Sequence, residues 1–143
     1  MMRAILLSLF AFLISACGGS AGQDVITEPL EGAIGNTDNG AALFAARTGG
    51  HCVLCHMVGG LDAEFQGNLG PDLSAVGSRL TPAQLRLRIV DYDRVKPGTT
   101  MPPYYRTNNL HQVAPDYAGK TLLSAQDIED IIAYLAQQKD TSL

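Results

Sequence analysis

The chemistry of this chain concentrates in Cys52-Val53-Leu54-Cys55-His56. Two thiols three residues apart, with an imidazole directly behind the second, form the C-x-x-C-H pattern of covalent c-type haem attachment. The thiols add across the porphyrin vinyl groups, and the histidine is then held under the iron as its proximal ligand. Two other chemistries use such a thiol pair. A structural zinc site needs four ligands, and beside the pair the chain offers only His51, His111 and carboxylates. A thioredoxin-like redox pair follows a strand within a βαβ pattern, and none is legible here. One covalent haem c is therefore the expected cofactor, with Cys52, Cys55 and His56 as its attachment residues.

A second axial ligand is expected among four methionines. Met1 and Met2 fall in a leader, and Met57 directly follows His56 and cannot reach the opposite haem face. Met101 remains. The residue before a proline is kept out of helical geometry, and Pro102-Pro103 stiffens the chain just beyond it, so the thioether is presented at little entropic cost. An ordinary core methionine is the alternative reading, and His111 is the runner-up ligand. A His/Met pair raises the haem potential and leaves no open coordination position, which suits one-electron transfer. The His56 ring N–H needs an acceptor. The Pro71 carbonyl in Gly70-Pro71-Asp72-Leu73 is the candidate, with Gly70 allowing close approach; a plain turn is the alternative.

Few elements are available to position these residues. A helix is expected over Thr37–Thr48, capped by Asp38 or Asn39, rich in alanine and stopped by Gly49-Gly50. A Gly-rich loop covers residues 59–78. Thr81-Pro82-Ala83-Gln84 combines an N-cap threonine, proline at the first helical position and a capping-box glutamine, and opens a helix to about Val90. Ser124-x-x-Asp127 opens the last helix, whose Ile128, Ile131, Ile132 and Leu135 share one stripe. The expected fold is all-α, with few helices and long loops wrapped around one haem. A flat apolar cofactor supplies the core that so loop-rich a chain otherwise lacks.

Ahead of this domain, Met1-Met2-Arg3 and the apolar run Ala4–Ile14 read as an export signal, too short to span a bilayer. Ser15-Ala16-Cys17 resembles a bacterial lipobox, which makes residues 1–16 a lipoprotein signal peptide and Cys17 its lipidation site. Ordinary cleavage near Ser20-Ala21-Gly22 is the alternative. Lipidation would account for the third of three cysteines. Residues 17–36, without periodicity, read as a flexible linker with an extended span of roughly 70 Å; residues 37–143 form the domain. The expected location is the periplasm, with membrane contact through the lipid.

The chain carries ten basic and fourteen acidic residues, net −4, which argues against nucleic-acid binding. Six of the bases fall within residues 79–106 against Asp91 and Asp93. They form either a solvated helix face or a basic rim around the haem, where an acidic partner could dock.

Gly40-x-x-x-Phe44, the C-x-x-C-H motif, Gly70-Pro71, Met101 and a terminal helix with Tyr134 resemble class I cytochromes c, over roughly residues 37–139. That family's first and last helices cross closely, which would put Gly40 and Tyr134 at the crossing. Residues 70–79, Ala83-Gln84-Leu85-Arg86, Met101-Pro102-Pro103-Tyr104-Tyr105-Arg106 and residues 123–135 resemble more narrowly the SoxX family, the monohaem subunits of SoxAX sulfur-oxidation cytochromes. This resemblance implies a periplasmic heterodimer with a SoxA-like cytochrome subunit. It implies an electron-transfer role in an L-cysteine S-thiosulfotransferase that joins thiosulfate to a cysteine of a SoxYZ-like carrier. A soluble cytochrome c would accept the electrons, and no residue of this chain would be catalytic. A lipobox is not usual for that family. The alternative function is a stand-alone, membrane-tethered cytochrome c of a respiratory chain.

Overall fold

The structure, a computed structural model, describes residues 24–141. The expected signal peptide and Cys17 lie outside the described residues. Four α-helices and four short 3-10 turns are the regular elements of the described chain, which is otherwise loop and contains no strand. The helices are α1 (Thr37–Ala45), α2 (Val76–Arg79), α3 (Pro82–Asp91) and α4 (Ala125–Ala136). The fold is all-α, as the sequence implies.

The caps explain where the helices begin. Thr81 and Gln84 form a capping box at α3, and Ser124 and Asp127 form one at α4. At α1 the cap is Asn36, whose side chain accepts the Asn39 N–H at 2.9 Å. Neither Asp38 nor Asn39 does this, because both lie inside the first turn; Asn36 has the extended backbone that a cap requires. The helix stops at Ala45, three residues short of the expected end, since Ala46 is already extended. Helix α2 lies in the segment expected to be loop; four residues are too few to show a period.

Helices α1 and α4 cross over the core. Gly40 sits at the crossing, where a Cβ would overlap the Asp130 carbonyl and come within 2.9 Å of Tyr134 Cβ. One turn on, Phe44 meets Tyr134 with ring centroids 5.8 Å apart, tilted by 54°. Ile128, Ile131, Ile132 and Leu135 are all buried, as their stripe implies.

Two further residues of α4 are buried although charged. Glu129 receives Arg86 Nε at 2.6 Å and Nη2 at 2.8 Å, with both side chains 5% exposed. This pair ties α3 to α4 and also gathers the incoming chain. Arg86 Nη1 donates to the carbonyls of Ile26 and Thr27, and Glu129 accepts the Leu30 N–H at 3.0 Å. Asp130 accepts the Asn36 N–H at 2.7 Å, Tyr105 donates to Glu31, and Arg94 pairs with Asp24. Residues 24–36 are thus a strap bonded across α3 and α4, in place of the expected flexible linker. Their sequence has no periodicity because side chains from elsewhere hold their backbone.

Candidate haem site

The C-x-x-C-H segment folds as one tight turn. Gly49 has φ +82° and His51 φ +56°, so the backbone enters left-handed. Cys52–Leu54 then forms a 3-10 turn, closed by Cys55 N–H to Cys52 O at 3.1 Å and His56 N–H to the same carbonyl at 2.9 Å. Val53, 1% exposed, pins the turn to the core. Both sulfurs and the imidazole thereby reach a single cleft. Burial pushes the Cys52 thiol up to about 11, partly opposed by a hydrogen bond with its own backbone. A thiol raised in this way is unlike the activated cysteine of a redox pair.

His56 Nδ1 lies 2.8 Å from the Pro71 carbonyl. A carbonyl only accepts, so Nδ1 is the donor, and in the neutral ring the lone pair lies on Nε2. Gly70 makes this approach possible. Its N–H donates to Cys55 O at 2.7 Å, and a Cβ there would overlap the His56 ring.

Met101, half-buried, lines the same cleft. Its N–H donates to Thr99 Oγ1 at 3.2 Å. Past Pro102-Pro103, Tyr104 is buried and its hydroxyl donates to the Gly50 carbonyl. Burial holds the Tyr104 hydroxyl well above its ordinary pKa, so it stays a donor. His111 is exposed and is not among the residues lining the cleft; exposed His51 is at its rim.

The remaining walls are mostly apolar, with Phe44, Leu73, Ile89, Leu123 and Ile131 prominent, and Tyr92, Lys96, Thr99 and Thr100 add a polar edge. They surround about 940 Å³ of atom-free space, open mouth included. Two thiols for covalent attachment, one imidazole with a free Nε2, one thioether and an apolar surround are the donor set and setting that a haem c requires. Among the described residues no group of three or more His, Cys, Asp or Glu side chains could hold a metal ion. The basic segment contributes little to the rim: of its six bases Lys96 alone lines the cleft. Arg86 is buried on Glu129, Arg106 pairs with Asp91, Arg94 pairs with Asp24 and Arg79 donates to Asp72 O.

The cytochrome c family model matches residues 37–139. The chain belongs to the cytochrome c family. Its cytochrome c domain, carrying the Cys52/Cys55 motif, implies a covalent haem c and electron transport. One chain in the crystal structure of SoxXA from P. pantotrophus is 34% identical, with a TM-score of 0.74, over 81% of this chain and 90% of that one. The c-type cytochrome SorU from Sinorhizobium meliloti is 20% identical over 72% of this chain and 90% of its own, at a TM-score of 0.46. Cytochrome c-550 from Paracoccus versutus is 18% identical over 74% and 99%, at a TM-score of 0.41. No curated protein matches the chain.

Phe44 and Tyr104, both in the cleft, were not singled out as site residues by sequence reasoning. The only signals were the spacing of Phe44 from Gly40 and of Tyr104 from Met101.

Proposed function

We propose that this cytochrome c domain is the electron-transfer subunit of a SoxAX-type complex in the periplasm, paired with a SoxA-like cytochrome subunit. The observation that carries this reading is the 34% identity and TM-score of 0.74 to a chain of SoxXA, over 81% of this chain. In this reading Cys52 and Cys55 form the thioether attachments. His56 presents Nε2 to the iron, held in orientation by its Nδ1 proton on Pro71. Met101 supplies the second ligand from a segment stiffened by two prolines. Phe44, Ile89 and Ile131 keep water from the cleft and so bear on the potential. When bound, the haem supplies a one-electron iron couple.

The thiol inventory fits such a division of labour. Cys52 and Cys55 are committed to the haem and Cys17 to a lipid, so sulfur chemistry belongs to the partner chain. Joining thiosulfate oxidatively to a carrier cysteine of a SoxYZ-like protein releases two electrons, which this subunit hands singly to a soluble cytochrome c. Purification from the native host tests the reading: a second haem-bearing chain should co-elute in constant ratio, and a clean monomer overturns it. The second reading, a tethered stand-alone carrier, is favoured by Ser15-Ala16-Cys17. It is expected to give one haem-staining band in the membrane fraction with no partner.

A further inference from the structure

Tyr104 joins four pieces of chain. Its N–H donates to Ile89 O at 3.1 Å, at the end of α3, and its carbonyl accepts the Leu122 and Leu123 N–H groups at 2.9 and 3.2 Å. Its hydroxyl crosses the cleft wall to the Gly50 carbonyl, two residues before Cys52. Gly50 is itself buried, and a Cβ there would come within 3.2 Å of Cys52 Sγ. The hydroxyl therefore grips the backbone immediately beside the first attachment sulfur. On the other side of Tyr104, the chain runs through Pro103 and Pro102 to Met101. Two fixed φ angles make that link a short rod, so a displacement at Tyr104 carries to the thioether instead of being absorbed.

We propose that Tyr104 is a positioning residue, whose hydroxyl bond to Gly50 sets the separation between the haem-attachment turn and the Met101 segment and so keeps the thioether on the iron. The inference rests on Met101 being the second ligand. Loss of the bond leaves the Gly50 carbonyl buried without its partner and unties the haem-attachment turn from the Tyr104 end of the rod, which its backbone bonds still hold. Added imidazole then displaces the thioether more easily.

The test uses the haem-loaded ferric protein titrated with imidazole. The readout is the weak far-red band of methionine–iron coordination, with the reduction potential as a second measurement. Tyr104→Phe is expected to bind imidazole about tenfold more tightly than wild type, the scale of one buried hydrogen bond, and to have a lower potential. Tyr105→Phe removes a neighbouring hydroxyl that donates to Glu31 and does not line the cleft. It should keep the wild-type imidazole affinity. Pro103→Gly loosens the rod without touching the hydrogen bond, and should also raise imidazole affinity severalfold; it decides the matter if Tyr104→Phe fails to mature. Wild-type imidazole affinity in Tyr104→Phe, even with lowered thermal stability, makes the bond merely structural and overturns the proposal, as does an unaltered Pro103→Gly. A wild-type protein without the far-red band instead overturns the Met101 assignment, and the proposal with it.

Discussion

Met101 and His56 line one cleft, and the proposed function gives them unequal loads. In the proposed site, replacing Met101 with alanine would remove the second ligand from one side and leave the thioether attachments at Cys52 and Cys55 and the His56 ligand in place. The expected product is a stable, haem-loaded protein that has lost the far-red band and has a lower potential. His111→Ala should change neither, because His111 stands in solvent away from the cleft; the opposite pattern would exchange the two assignments. Gly70→Ala strikes the other side. Its methyl group would occupy the His56 ring position and break the contact with Pro71. Holo-protein yield, read as Soret absorbance per milligram, should fall about tenfold, in line with the loss of a group that orients a metal ligand. A wild-type yield refutes that role for Gly70 and Pro71. At this scale the sequence was most legible where chemistry demands fixed spacing. Two thiols and an imidazole on one turn leave a pattern, and a proline leaves another. Tyr104 leaves only its spacing from Met101, because its hydroxyl finds Gly50 across fifty-four positions of chain.

The helices were legible wherever their start is written locally. Thr81 with Gln84 and Ser124 with Asp127 are self-contained signals, and both boxes close as spaced. What local reading missed is the pairing of Arg86 with Glu129. On a helical wheel each is one more solvated charge, and only the packing of α3 on α4 turns them inward. Removing one partner should be costly: Arg86→Ala leaves Glu129 buried without its cation and is expected to lose about 3–5 kcal/mol in chemical denaturation. Replacing both partners with apolar residues should recover much of that loss. It should not restore the strap, because the Ile26 and Thr27 carbonyls still lack their donor. Faster proteolytic cleavage within residues 24–36 of the double variant is the signature. A single variant within about 1 kcal/mol of wild type would mean that the pair is no more than a surface bridge. Gly40→Ala belongs to the same scale. Its methyl group meets the Asp130 carbonyl, and the forced separation of α1 and α4 is expected to cost about 1–3 kcal/mol. An unchanged denaturation midpoint contradicts that packing.

For the whole molecule, the all-α architecture followed from two capping signals, one alanine-rich segment and the want of alternating strands. The extent of the folded unit did not follow, since residues 24–36 read as linker and are strap. Among the described residues no helix is long and apolar enough to cross a membrane. The lipobox-like Ser15-Ala16-Cys17 offers a lipid on Cys17 as a route of attachment. Cys17→Ser should move the protein from the membrane fraction to the soluble fraction of broken cells. A wild-type protein already wholly soluble refutes the lipid.

The strap sets the length of any such leash. Asp24 is bound to Arg94, and Cys17 is seven peptide steps before Asp24 in the sequence. Those steps reach about 25 Å when fully drawn out. Arg94 closes a turn that begins at Tyr92, and Tyr92 lines the cleft. A lipidated protein would therefore hover close to the bilayer with its cofactor side near the leash's root, and redox partners would have to come to it. A ten-residue Gly-Ser spacer spliced in before Asp24 should change electron exchange with an acceptor embedded in the same membrane and leave exchange with a freely diffusing one unaltered.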